Sequence, residues 1–219
     1  MTEEHAIAPT YPARLEIDYP DEGLSRVTTA FRLVLLIPVA VISTLLTSSA
    51  TDWADDVDPW LEITAFTLST SGFVVVPLLL AILFRGKYPR WWFDWNLELC
   101  RFLTRVTAYA ALLRDEYPSL DEAQAVRLEI DYPDAGRDLS RWLPLVKWFL
   151  AIPHYVVLML LGVVAVVLVA LAWFAILFTG RYPRGIFGFL VGACRWALRV
   201  NAYMFLLVTD RYPPFSLDP

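Results

Sequence analysis

Arg14-Leu15-Glu16-Ile17-Asp18-Tyr19-Pro20-Asp21 recurs unchanged as Arg127-Leu128-Glu129-Ile130-Asp131-Tyr132-Pro133-Asp134. Other matches follow in the same order. Leu24-Ser25-Arg26 returns as Leu139-Ser140-Arg141, and Ile37-Pro38 as Ile152-Pro153. Ile82-Leu83-Phe84-Arg85-Gly86-Lys87-Tyr88-Pro89-Arg90 returns as Ile176-Leu177-Phe178-Thr179-Gly180-Arg181-Tyr182-Pro183-Arg184. Cys100-Arg101 matches Cys194-Arg195, Arg105-Val106 matches Arg199-Val200, and Tyr-Pro closes each series at 117–118 and 212–213. Self-similarity of this kind sets the architecture before any local signal does. It divides the chain into an arm (1–12), a first repeat (13–118), a linker (119–125), a second repeat (126–214) and a tail (215–219).

The repeated octapeptide alternates. Leu15, Ile17 and Tyr19 fall on one side, and Arg14, Glu16 and Asp18 on the other. Period two before a Pro predicts a short strand that stops there. Arg127 to Tyr132 predicts its equal, and the two are expected to pair antiparallel.

Composition points to a membrane. Hydrophobic residues make up 58% of the 219, with 9 Trp and 13 Phe, and the mean hydropathy is +0.51. A net charge of −5 argues against nucleic acid, which calls for a basic face. Two Cys build no disulfide framework. The first 26 residues are polar, with no apolar core for a cleaved signal.

A span needs about 20 apolar residues. In the first repeat 27–50 and 63–84 qualify, with Arg32 snorkelling to the interface, and an acidic loop (48–62) lies between them. In the second repeat, Trp148 to Phe178 is one uncharged run apart from His154. As a single helix it would reach about 46 Å, too long for one crossing. The repeat correspondence therefore predicts a hairpin, with spans over 142–161 and 163–178 turning near Gly162. Lys and Arg avoid the 48–62 loop, which places both termini in the cytoplasm by the positive-inside rule. The expectation is an all-α, multi-pass protein of the bacterial plasma membrane. It has two tandem helical-hairpin repeats, about four transmembrane helices, and short strands at the cytoplasmic face.

Segments 91–113 and 185–208 follow the hairpins. Asp94, Glu98, Arg101 and Arg105 share one helical face, and each charge at a bilayer centre costs on the order of 2.5–3.5 kcal/mol. An amphipathic interfacial helix avoids that cost, although a third span paired within a bundle stays open. In 185–208 the acids give way to Gly188 and Gly192, with Arg195 and Arg199 kept. The glycines admit close approach of a helix. Arg101, Arg105, Arg195 and Arg199 are candidate contacts for anionic lipid headgroups or a partner.

His154 is the ionisable residue inside an apolar run and so a candidate intramembrane polar site. Its repeat counterpart is Val39, and no carboxylate lies one or two turns away; a structural His beside the Pro153 kink is the plainer reading. Two His make no typical zinc site, no catalytic motif is present, and no cofactor is implied. Cys100 and Cys194 read as small buried thiols, and the Tyr-Pro pairs as chain reversals at the membrane surface.

The octapeptide, the stretch Ser140 to His154 (Ser-Arg-Trp-Leu-Pro-Leu-Val-Lys-Trp-Phe-Leu-Ala-Ile-Pro-His) and the stretch Trp173 to Gly185 resemble the bacterial membrane proteins of the DUF4389 family. The second repeat follows the pattern along most of its length. The first departs at Val27 to Arg32, at Val39, and in its acidic loop. The resemblance implies an actinobacterial-type membrane protein and carries over no activity and no site residues. The functional expectation is a non-enzymatic accessory or scaffold subunit, partnered by the bilayer, another membrane protein or itself. The alternative is a lipid-binding or small-solute transport module with a site between the repeats. A third, a membrane enzyme acting on lipid, needs a carboxylate or His cluster at headgroup depth.

Overall fold

The computed structural model describes residues 11–21, 23–47, 82–83, 88–119, 122, 124–134, 139–140 and 142–218. Strand β1 (Ala13–Ile17) pairs antiparallel with β2 (Val126–Ile130), with Leu15 opposite Leu128. Both strands bury every second residue, as the alternation requires. The helices are α1 (Arg26–Ala30), α2 (Arg32–Thr47), α3 (Arg90–Ala110), α4 (Leu143–Thr179) and α5 (Arg184–Met204).

The apolar face of the sheet lies on α3 and α5, and the contacts cross between the halves of the chain. β1 packs on α5, and β2 on α3. The Arg195 Nε–H donates to the Leu15 carbonyl (2.8 Å), and the Arg101 Nε–H to the Leu128 carbonyl (3.1 Å). The Tyr19 hydroxyl donates to the Tyr182 carbonyl, and Tyr132 to that of Tyr88. Tyr182 and Tyr88 donate in turn to the carbonyls of Ala111 and Leu206. Edge-on aromatic contacts repeat as well, Phe187 against Tyr19 and Tyr182, and Phe93 against Tyr132 and Tyr88.

Both core helices end alike. Leu112 (φ 62°) and Leu207 (φ 53°) take the left-handed conformation, which costs a side-chain-bearing residue roughly 1–2 kcal/mol. Both are almost fully buried, so packing holds them there. The reversal lets the Leu113 and Val208 N–H groups close back on the Ala108 and Ala202 carbonyls.

The all-α fold with about four transmembrane helices is overturned. Among the described residues there are five helices and a two-stranded sheet, and one helix, α4, is long and apolar enough to cross a membrane. The hairpin expected over 142–161 and 163–178 is absent, because α4 runs unbroken through Gly162 for 37 residues. An interior Gly costs only about 0.5–1 kcal/mol against Ala, and the flanking Leu, Val and Ala include no turn former. A turn there would also leave main-chain polar groups bare in apolar surroundings. Gly180 (φ 74°) ends the helix instead. The span expected over 27–50 is interrupted at Phe31, and α2 beyond it has 16 residues among the described residues, short of the roughly 20 a crossing needs. The span expected over 63–84 and the loop over 48–62 lie almost wholly outside the described residues.

Two further expectations change. The segment 185–208 does not lie free as an amphipathic interfacial helix. Eleven residues of α5, Arg199 and Trp196 among them, are buried, because the sheet covers one side and α4 another. Arg32 does not snorkel; its residue is 2% exposed, for a reason given below.

Candidate functional site

Two buried cations hold the starts of the apolar helices. Ser25 caps α1, its Oγ accepting from the Thr28 N–H. One turn into the apolar stretch that follows, Arg32 meets Asp115, just beyond the end of α3. Its Nη2 lies 2.5 Å from Asp115 Oδ1, its Nη1 donates to the Arg114 carbonyl (3.0 Å), and the guanidinium sits 4.0 Å over the Tyr109 ring. The other Asp115 oxygen accepts from the Ser25 N–H (2.7 Å).

The second half repeats the arrangement with a different cation. Lys147 Nζ lies 2.7 Å from Asp210 Oδ1, donates to the Thr209 carbonyl (2.7 Å), and sits 4.9 Å over the Tyr203 ring. Asp210 Oδ2 accepts from the Ser140 N–H (2.5 Å). A buried charge is stable only when paired and hydrogen-bonded, and each cation meets a carboxylate, a carbonyl and a ring face. Sequence reasoning missed both clusters. The signal was present: each cation falls seven residues after the Ser of Leu-Ser-Arg, and each Asp two residues before the closing Tyr-Pro.

The four candidate arginines are spent on the chain itself. Beyond the strand carbonyls, Arg101 pairs with Glu98 (2.5 Å) and Arg105 donates to the Ser119 carbonyl (2.6 Å). Arg199 donates to the carbonyls of Ser216 and Asp218 (3.4 and 2.5 Å). Burial, and then the neighbouring Arg195, draw the Arg199 guanidinium below its ordinary range. Gly192 admits a close approach, and the chain's own tail takes it: a Cβ there would lie 2.8 Å from Leu217.

His154 is fully buried. Its ring stacks on Phe215 at 4.0 Å, and its Nδ1 accepts from the Trp196 indole N–H at 3.1 Å. The acceptor role of Nδ1 puts the proton of the neutral ring on Nε2, which has no hydrogen-bond partner among the described residues. Trp196, Tyr212 and Phe215 fill the space around the ring.

Open space lies elsewhere. A groove of about 430 Å³ runs between α4, α5 and the end of α3, with Gly162, Ala165, Ala193 and Ala197 in its walls. It adjoins a hollow of about 200 Å³ that shares Thr107, Cys194 and Ala197 and adds Cys100 and Asn201. Burial pushes the Cys100 thiol up to about 12 and that of Cys194 up to about 11, so both stay protonated at neutral pH.

Around the groove α4 is bare. Of its most apolar stretch 6% is buried, and Met159, Leu160, Val163, Val166 and Phe174 are more than half exposed or close to it. A core helix hides such side chains, so α4 marks the chain as membrane-associated. Compared with known families, residues 135–216 match the model described as Domain of unknown function (DUF4389). No curated protein and no solved structure matches the chain.

Proposed function

We propose, for a chain whose residues 135–216 belong to the DUF4389 family, a non-enzymatic accessory or scaffold module docked on the bacterial plasma membrane, with a diverged second copy of the same unit as its first half. The observation that carries this reading is the bare apolar face of α4 on a body whose opposite side is charged.

The second copy is supported by the doubled contacts. Arg101 with Leu128 mirrors Arg195 with Leu15, and Arg32 with Asp115 mirrors Lys147 with Asp210. Docking is supported by how α4 is tied down. At about 55 Å it is longer than one crossing needs, and it is fastened to one body towards both ends. Lys147 is held by Asp210, His154 by Trp196, and the Gly180 carbonyl by the Leu24 N–H. Beyond α5 lies the sheet, with exposed Arg14, Glu16, Arg127 and Glu129. Stranding those charges in hydrocarbon is expensive. Laying α4 along the interface with its bare face inward avoids that cost. The Tyr11 hydroxyl donates to the Arg211 carbonyl (3.2 Å), so both ends of the described chain lie together, on the cytoplasmic side in this reading.

Single cysteines at Val163, Phe174, Glu16 and Glu129, carrying a polarity-sensitive dye, test the docking in vesicles. The first two are expected to report hydrocarbon and the last two water; water at all four positions refutes it. Purification in mild detergent tests the scaffold role. A membrane partner in defined ratio is expected, and a strictly solitary chain counts against it.

A further inference from the structure

We propose that the groove between α4 and α5 is a binding site for one lipid acyl chain, drawn sideways from the membrane; this rests on the docking of α4 described above. Three observations identify the occupant.

The lining comes first. Among the described residues the walls of the groove carry no charged side chain, and their only polar side-chain groups are the Thr107 hydroxyl and the Cys194 thiol. Such a surface cannot pay for desolvating a headgroup or an ionic solute, but it matches a hydrocarbon chain. The shape of the floor comes second. Small residues (Gly162, Ala165, Ala193 and Ala197) keep the helix surfaces recessed, and a Cβ added at Gly162 would meet nothing within 4 Å. The groove is open at the surface, so an apolar occupant gains dispersion contacts that its bare lining lacks. The third observation is continuity. The helix that walls the groove through Leu158, Leu161 and Ala165 also presents Leu160, Val163 and Val167 outward. The groove therefore opens on the face that meets hydrocarbon, and a chain enters without passing through water.

The test uses the full-length protein in phosphatidylcholine vesicles doped with a phospholipid bearing a diazirine on one acyl chain. After photolysis, crosslinked peptides are mapped by mass spectrometry. Crosslinks are expected on Leu161, Ala165 and Ala193 as well as on outward-facing Val163 and Phe174. Gly162→Leu and Ala193→Leu, which fill the floor, are expected to abolish the inner crosslinks and spare the outer ones. Val163→Leu, on the outer face, should leave both. Crosslinks on Val163 and Phe174 with an unlabelled groove overturn the groove alone. No crosslink on either face overturns the docking and the groove together. Should the filling variants unfold, by circular dichroism, the inner-to-outer ratio of the unsubstituted chain still decides. An inner signal that unlabelled phospholipid fails to dilute in step with the outer one supports a site, and parallel dilution refutes it.

Discussion

Arg32 and Lys147 do the same work by different means, and the difference shows how each half seats its apolar helix. Lys147 is a point charge with three donors. At 0% exposure it meets the Asp210 carboxylate, the Thr209 carbonyl and the Tyr203 ring. Arg32 brings a planar fork of five donors, lies closer over its ring, and leaves its Nε without a hydrogen-bond partner among the described residues. Its carboxylate is also the wetter of the two: the Asp115 side chain is 28% exposed against 17% for Asp210. Water can therefore take over part of the first site if the cation is lost. The second site has less of that reserve.

The sharpest way to break the comparison is Lys147→Met. It strands Asp210, and removing one partner of a buried pair costs about 3–5 kcal/mol. Thermal unfolding in detergent, followed by near-UV circular dichroism, should show the largest loss here, with much of it recovered in Lys147→Met/Asp210→Leu. Arg32→Met is expected to cost less, about 1.5–3 kcal/mol for a charged hydrogen bond in a part-wet site; equal losses at the two sites would erase the distinction. Tyr19→Phe and Tyr132→Phe each remove one cross-half hydrogen bond, at about 0.5–1.5 kcal/mol. They are expected to match each other within error, since the two bonds are equivalents. Arg14→Ala breaks the exposed pairs with Glu129 and Asp131 and should move the midpoint least, by at most about 1 kcal/mol.

The sequence disclosed the parts of this fold that depend on local pattern. Leu15, Ile17, Leu128 and Ile130 announce their strands because a pleat sends alternate side chains to opposite faces, and the register follows once the two octapeptides are seen to be the same. The Tyr-Pro pairs were read as chain reversals, and Tyr19, Tyr88, Tyr132 and Tyr182 add a role that spacing alone does not encode: each ties one half to a carbonyl of the other. The hairpin expected at Gly162 fails because the likeness of the repeats at their ends does not reach their middles, where nothing in the residues compels a turn. The buried cations were hidden for a chemical reason. Arg in one half and Lys in the other breaks the identity that exposed the remaining matches, and a lone Arg at the edge of an apolar run reads as an interfacial anchor until its carboxylate, more than 80 positions away, is found. Arg101, Arg105, Arg195 and Arg199 were visible as a charged face, but their main-chain acceptors were not, because a carbonyl leaves no mark in sequence.

The crossing of strands between the halves also sets an order of events during synthesis. β1 is made long before α5, yet it lies on α5. The Arg195–Leu15 bond spans 180 positions and the Tyr11–Arg211 bond 200. Contacts of such separation are slow to form, and these have no partner until α5 and the residues just after it have been made. β1 must therefore wait, without the helix that covers its apolar face, while the elements between the two are made.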